Sequence, residues 1–150
     1  MKRALRPISD ERGQLLRRRL REAVKQQPKI RILRRLLLDL GGVEIVAPPA
    51  ADTVLGLLIE QGFVMSGPVK RKPMTDSACH DNVSRLWMLK KREIVGIGTG
   101  YALSGDGLWR QHSWGIRRDG IVETTVPREK YFGILLQGAR AKCFAESTVL

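Results

Sequence analysis

Apolar residues recur at helical spacing through the first third of the chain and at strand-like spacing through the last third. In "ISDERGQLLRRRLREAVKQQ", Leu15, Leu16, Leu20, Ala23 and Val24 fall along one side, and Ser9 or Asp10 can cap the start. Acids in the first turn complete the signal for a helix whose remaining surface is almost all arginine. A second helix is expected in "PKIRILRRLLLDLGG": Pro28 opens it, Gly41 and Gly42 stop it, and Ile30, Leu33, Leu37 and Leu40 mark its inner face. Residues 1–42 thus read as a basic helical hairpin, or as an extension lying across the domain behind it.

"VEIVAPP" reads as a short strand ended by Pro48 and Pro49, and "AADTVLGLLIEQGF" as a third helix closed by Gly62. "SGPVKRKP", with two prolines and three basic residues, reads as a loop. A helix is expected from Asp76 to about Arg92, with Val83, Leu86, Trp87 and Leu89 as apolar positions and Lys90, Lys91 and Arg92 suiting its C-terminal dipole. "IVGIGTGYALS", "LWRQHSWGIR", "GIVETTV" and "YFGILL" follow as β-like runs, separated by Gly105-Asp106-Gly107, Arg118-Asp119-Gly120 and Pro127. Residues 138–150 read as a short closing helix. Helices first and strands after give an α+β expectation: N-terminal helices, then a helix carrying Cys79 packed on a three- to four-stranded antiparallel sheet over residues 43–150.

Composition narrows the class. At 150 residues, 43% hydrophobic and 5% aromatic, the chain can bury one aliphatic core. No apolar run approaches the roughly 18 residues that span a bilayer. "MKRALRPISDERGQ" lacks the apolar stretch of a secretory signal, and Cys79 and Cys143 then read as free thiols in a reducing compartment. A cytoplasmic location away from membranes is the expectation. The formal charge of +12 is uneven: residues 1–42 hold 13 Lys and Arg against four Asp and Glu. Arg17, Arg18, Arg19, Arg21, Arg31, Arg34 and Arg35 are therefore candidates for docking an acidic protein or nucleic acid. The plain alternative is a solvated helix face. Aromatic residues for base stacking are absent from this half, although arginine helices can still hold duplex backbones.

The chemistry centres on "DSACHDNVSRLW". Cysteine hydrolysis needs a thiolate, a base, a group to orient the base, and donors for the oxyanion. Cys79 falls in the first turn of the expected helix, where free amides lower a thiol's pKa; its own amide and that of His80 are candidate oxyanion donors. His112 on a following strand is the candidate base, and Glu123 on the next strand its orienting partner. Asn82 shares the helix face of Cys79 and can add a donor. His80 is the weaker base, because neighbouring helical residues point about 100° apart; it reads as a helix-start contact. The hairpin supplies a geometric condition. With Ile116 opposite Ile121, Trp114 faces Glu123 and His112 lies diagonal to it, and Trp114 can shield the pair from water; a slip of one residue separates them.

The order Cys on a helix, His on a strand and acid on the next strand resembles the papain-like and transglutaminase-like cysteine hydrolase superfamily. The fuller pattern "CHDN … GYALSGDGLWRQHSWGI … VETT … YFGI", over about residues 75–137, also resembles a group of small bacterial and phage proteins of unknown function. The resemblance implies a papain-like domain over 43–150 and a hydrolase or acyl transferase acting on an amide, isopeptide or glutamine side chain of a protein or peptide. The acid is Glu123 where that superfamily more often has Asp or Asn. No cofactor is implied. Zinc on Cys79, His80, His112 and Cys143 is disfavoured by their spacing. "GIGTG" is followed by strand-like sequence instead of a helix N-terminus, so its glycines read as close packing within a strand. A binding module built on the basic arm is the competing function.

Overall fold

A computed structural model describes residues 9–149. Residues 1–8, where the expectation about a secretory signal partly rests, and residue 150, the end of the expected closing helix, lie outside the described residues. Helix α1 (Asp10–Gln26) starts at Ser9, whose side chain accepts the N–H of Arg12 at 3.3 Å. Helix α2 (Ile30–Leu40) buries Ile30, Leu33 and Leu37 completely, and its chain direction breaks at Gly41, where φ is 140°. The Trp109 indole N–H donates to the Gly41 carbonyl at 2.9 Å. Leu20 of α1 and the α2 face join one apolar cluster with Ile45, Leu58, Tyr101 and Trp109, while Arg17, Arg18, Arg19 and Arg21 remain exposed. Burying that single aliphatic face is what fixes α2 on the molecule.

The remaining elements are β1 (Glu44–Ile45), α3 (Leu55–Gln61), β2 (Phe63–Met65), β3 (Val69–Arg71), α4 (Cys79–Leu89), β4 (Gly96–Leu103), β5 (Leu108–Arg117), β6 (Gly120–Glu123), β7 (Lys130–Leu136) and α5 (Gly138–Val149). The fold is α+β, with five helices and a curled, mostly antiparallel sheet. Strands run in the order β2-β7-β4-β5-β6-β3, and β1 adds to β5. The sheet therefore has seven strands where three or four antiparallel ones are expected from the sequence, and the β1–β5 and β3–β6 pairings are parallel. The surplus is physical: β1, β2 and β3 are two or three residues long, too short for alternation to show. Strand β3 lies inside "SGPVKRKP", and all three of its residues are exposed, so only backbone pairing with β6 makes it a strand. Helix α4 begins at Cys79 and not near Asp76, because Ser77 takes a left-handed φ of 58°. Its inner face is Val83, Leu86 and Trp87, whereas Leu89 is 82% exposed.

The glycine-rich strand β4 makes room for one large side chain. A Cβ at Gly98 would collide with the Trp114 indole, and one at Gly133 on β7 would lie 2.8 Å from its Cη2. Trp114 is thereby fully buried against Tyr131, with ring centroids 5.0 Å apart. Among the described residues no helix is long and apolar enough to cross a membrane.

Candidate active site

The β5–β6 ladder pairs Arg117 with Gly120, Ile116 with Ile121 and Gly115 with Val122, then stops. Beyond Gly115 the next strand no longer takes the outward-facing amides of β5. Strand β3 follows the other edge of β6, with Arg71 opposite Glu123. The chain continues through Lys72 N–H on the Glu123 carbonyl and Met74 N–H on the Thr124 carbonyl, each at 2.8 Å, and turns into α4. This path delivers the start of α4 to the opening beside β5. The backbone amides of Ser113 on β5 and of His80 on α4 lie beside the Cys79 thiol and favour its ionised form.

The Ile116–Ile121 pairing is the register in which His112 sits diagonal to Glu123 on one face. His112 Nε2 lies 2.8 Å from Glu123 Oε1 and 3.0 Å from Oε2. A carboxylate only accepts, so Nε2 carries the proton and Nδ1 is left to serve the Cys79 thiol, with which the imidazole interacts electrostatically. His112 and Glu123 are buried; Cys79 is half-buried. Glu123 is held by donors on every side. The Tyr131 hydroxyl donates to Oε1 at 2.9 Å, and the Thr125 N–H and hydroxyl donate to Oε2 at 3.0 and 3.1 Å. The Arg128 Nε is 3.9 Å from Oε1. A carboxylate removed from water needs such partners to remain ionised.

The electrostatics follow from these contacts. Burial pushes the Cys79 thiol up, but the hydrogen bond and charge of His112, with the Ser113 and His80 amides, outweigh it and hold the pKa below 9.0. Burial pushes His112 down, and the Cys79 and Glu123 bonds and charges more than reverse this, raising it above 6.5. Glu123 is raised by burial and lowered further by His112, Thr125 and Tyr131, ending below 4.5. Burial and the Glu123 charge drive the Tyr131 phenol upward, keeping it a donor. All four shifts favour a thiolate beside an imidazolium, backed by a carboxylate.

The other residues singled out in the sequence take definite places. His80 Nδ1 is 2.6 Å from Ser113 Oγ, which in turn is 2.8 Å from Thr99 Oγ1. Its ring meets Phe144 edge-on at 6.0 Å, so this histidine ties the helix start to β4, β5 and α5. Burial and the His112 charge lower its pKa. Asn82 is buried and its Nδ2 donates to the Thr75 carbonyl at 2.7 Å, holding the loop that enters α4. Trp114 stacks beside His112, centroids 6.1 Å apart, and its Nε1–H points at Met65 Sδ at 3.3 Å. Cys143 lies exposed on α5. Among the described residues no group of three or more His, Cys, Asp and Glu side chains is arranged to hold a metal ion. Of the seven arginines, Arg31 and Arg35 are exposed on α2, whereas Arg34 is half-buried and pairs with Glu44 at 2.7 and 3.1 Å.

No family model, curated protein or solved structure matches the chain.

Tyr131, Thr125, Arg128 and Ser113 belong to the site without having stood out in the sequence. Thr125 carried a local signal, since a Thr two residues after an acid can fold its N–H and hydroxyl back onto the carboxylate. Tyr131 comes from β7, two strands from β5, and reaches Glu123 past Gly100 and Ala102 of the intervening β4. Arg128 is anchored by Nη1 on Ser104 Oγ at 2.7 Å.

Proposed function

We propose that this protein is a cysteine-dependent hydrolase or acyl transferase acting on an amide, isopeptide or glutamine side chain, with Cys79 as nucleophile, His112 as general base and acid, and Glu123 as its orienting partner. The observation that carries the reading is the buried imidazole bonded to a carboxylate and coupled electrostatically to a half-buried cysteine at a helix start. The Cys79 sulfur attacks the carbonyl carbon, forming a C–S bond and an oxyanion. Free first-turn amides of α4, led by that of Cys79, face the developing charge. Collapse of the adduct breaks the C–N bond, and the His112 imidazolium gives its proton to the departing amine. Water, or an acceptor amine, then loses a proton to His112 and displaces the sulfur from the thioester. Glu123 stays ionised throughout and fixes the tautomer. Trp114 and Tyr131 wall the imidazole from solvent. Cytoplasmic residence suits a chemistry that depends on a reduced thiol.

The test is competition between the two thiols. Limiting chloroacetamide at neutral pH, read by peptide mapping, should modify Cys79 ahead of the more exposed Cys143. Preference for Cys143 would remove the nucleophile.

A second reading is favoured by one feature of the N-terminal helices. Arg17, Arg21 and Arg31 rim a groove of about 560 Å³ floored by Leu20, Val24 and Pro28. Such a surface fits an acidic protein or a nucleic-acid backbone, in a binding module whose hydrolase-like site is silent. It predicts binding that weakens with salt and is indifferent to Cys79→Ala.

A further inference from the structure

A second basic concentration lies outside the N-terminal helices, at the far end of α4 from Cys79. Lys70 on β3, Lys72 just after it, Lys90 at the end of α4 and Arg117 on β5 surround a groove of about 240 Å³ floored by Leu86 and Val122. Glu93 is the single acid lining it. No ion pair of the described residues includes Lys70, Lys72 or Lys90. Lys90 complements the α4 dipole, and charges on an edge strand discourage sheet-to-sheet pairing. Neither effect explains why three elements direct like charges, which repel, into one hollow with an aliphatic floor.

The groove is joined to the candidate site by the chain itself. Strand β3 leads through Lys72 and Met74, bonded to Glu123 and Thr124, into the turn before Cys79. Helix α4 then runs back from the sulfur. Leu86 lies seven residues along it, roughly 10 Å away, and Lys90 about 16 Å away. An extended polypeptide covers those distances in about three to five residues. Strand β3 is at the sheet edge, so its outer backbone groups are free to pair with such a chain.

From this geometry we infer that the groove receives acidic side chains about three to five residues from the carbonyl that Cys79 attacks, making the substrate a polypeptide with an acidic run beside the reacting amide. The inference rests on the nucleophile reading above. A peptide fits better than a nucleic acid, because the hollow has the volume of one or two side chains, its floor is aliphatic, and it offers no aromatic platform for bases.

The experiment uses the full chain and two electrophilic peptides, chloroacetyl-Gly-Gly-Gly-Glu-Glu-Glu-amide and its Gln counterpart, with chloromethyl ketones placing the acidic run on the other side of the carbonyl. In at least one orientation the acidic peptide should label Cys79 about tenfold faster than the neutral one at low salt, as a few exposed ion pairs would give. That ratio should fall toward one in Lys70→Ala/Lys72→Ala/Lys90→Ala, an exposed triple change, while labelling by chloroacetamide stays the same in both proteins. Equal labelling by acidic and neutral peptides, with fast chloroacetamide labelling of Cys79, overturns the groove and spares the nucleophile. If chloroacetamide fails to favour Cys79, the nucleophile falls, and the groove is judged by the anisotropy of a fluorescein-labelled acidic peptide lacking the electrophile. Absent binding, or binding unchanged in the triple variant, overturns the groove there. Tight binding of a labelled oligothymidine with none of the peptide overturns it too, in favour of nucleic acid.

Discussion

Charge is handled in opposite ways in two regions of this molecule. On α1, arginines point into water, and Arg17, Arg18, Arg19 and Arg21 are exposed. Around Glu123 the charges are few, buried and held by named donors from β5, β7 and the turn after β6. Exposed charge is screened and contributes little to folding whatever its density. Buried charge survives only where its partners are arranged for it, so its presence carries more information about chemistry. The conspicuous arginine run and the inconspicuous Glu123 therefore invert their apparent weights.

The largest expected effect is kinetic. His112→Ala should slow alkylation of Cys79 at neutral pH by roughly a hundredfold or more, the scale on which a positioned base acts. An unchanged rate in a folded variant would reduce the buried pair to ordinary packing. Next comes stability. Glu123→Ala leaves His112, Tyr131 and Thr125 without their acceptor and should cost about 3–5 kcal/mol in urea unfolding.

Glu123 is lowered from 4.5 in the folded protein, so its contribution is present above the unfolded value and is lost as pH falls through the depressed one. The urea midpoint of the wild type should drop on acidification below about pH 4.5, and the drop should shrink in Glu123→Gln. His112, raised from 6.5, has the opposite sign: its contribution is present below that value and lost as pH rises through the raised one. A smaller loss, about 1.5–3 kcal/mol, is expected for Tyr131→Phe, which removes one hydroxyl donor from a carboxylate. Arg17→Ala and Arg18→Ala should each stay within about 0.5 kcal/mol by thermal denaturation. A larger loss at either arginine would erase the contrast.

How much of this was legible depended on range along the chain. Ile30, Leu33 and Leu37 declared α2 through spacing alone, and each is fully buried. The β5–β6 turn fixed the Ile116–Ile121 register because only two residues separate the strands. Strand β3 escaped notice because a three-residue edge strand flanked by Pro68 and Pro73, with every side chain in water, has neither alternation nor apolar content. Leu89, an apolar position of α4, lies in water, because helical spacing does not reveal where the covering layer ends. Among the residues of the candidate site, Cys79, His112 and Glu123 showed through residue type and order. Tyr131 did not, since its hydroxyl finds Glu123 only after β7 crosses to pair with β4. Asn82 looked like a donor to the substrate by its i+3 position, yet its amide meets the Thr75 carbonyl, a loop contact that periodicity does not encode.

The central claim is that a buried imidazole keeps the Cys79 sulfur as a thiolate. The most direct measurement is the pH dependence of iodoacetamide alkylation at Cys79 in the wild type and in His112→Ala. The midpoint should lie well below the ordinary thiol value of about 8.5 and should move up to it or beyond when the imidazole is removed. A wild-type midpoint at the ordinary value, or one that His112→Ala leaves unmoved, would contradict the claim.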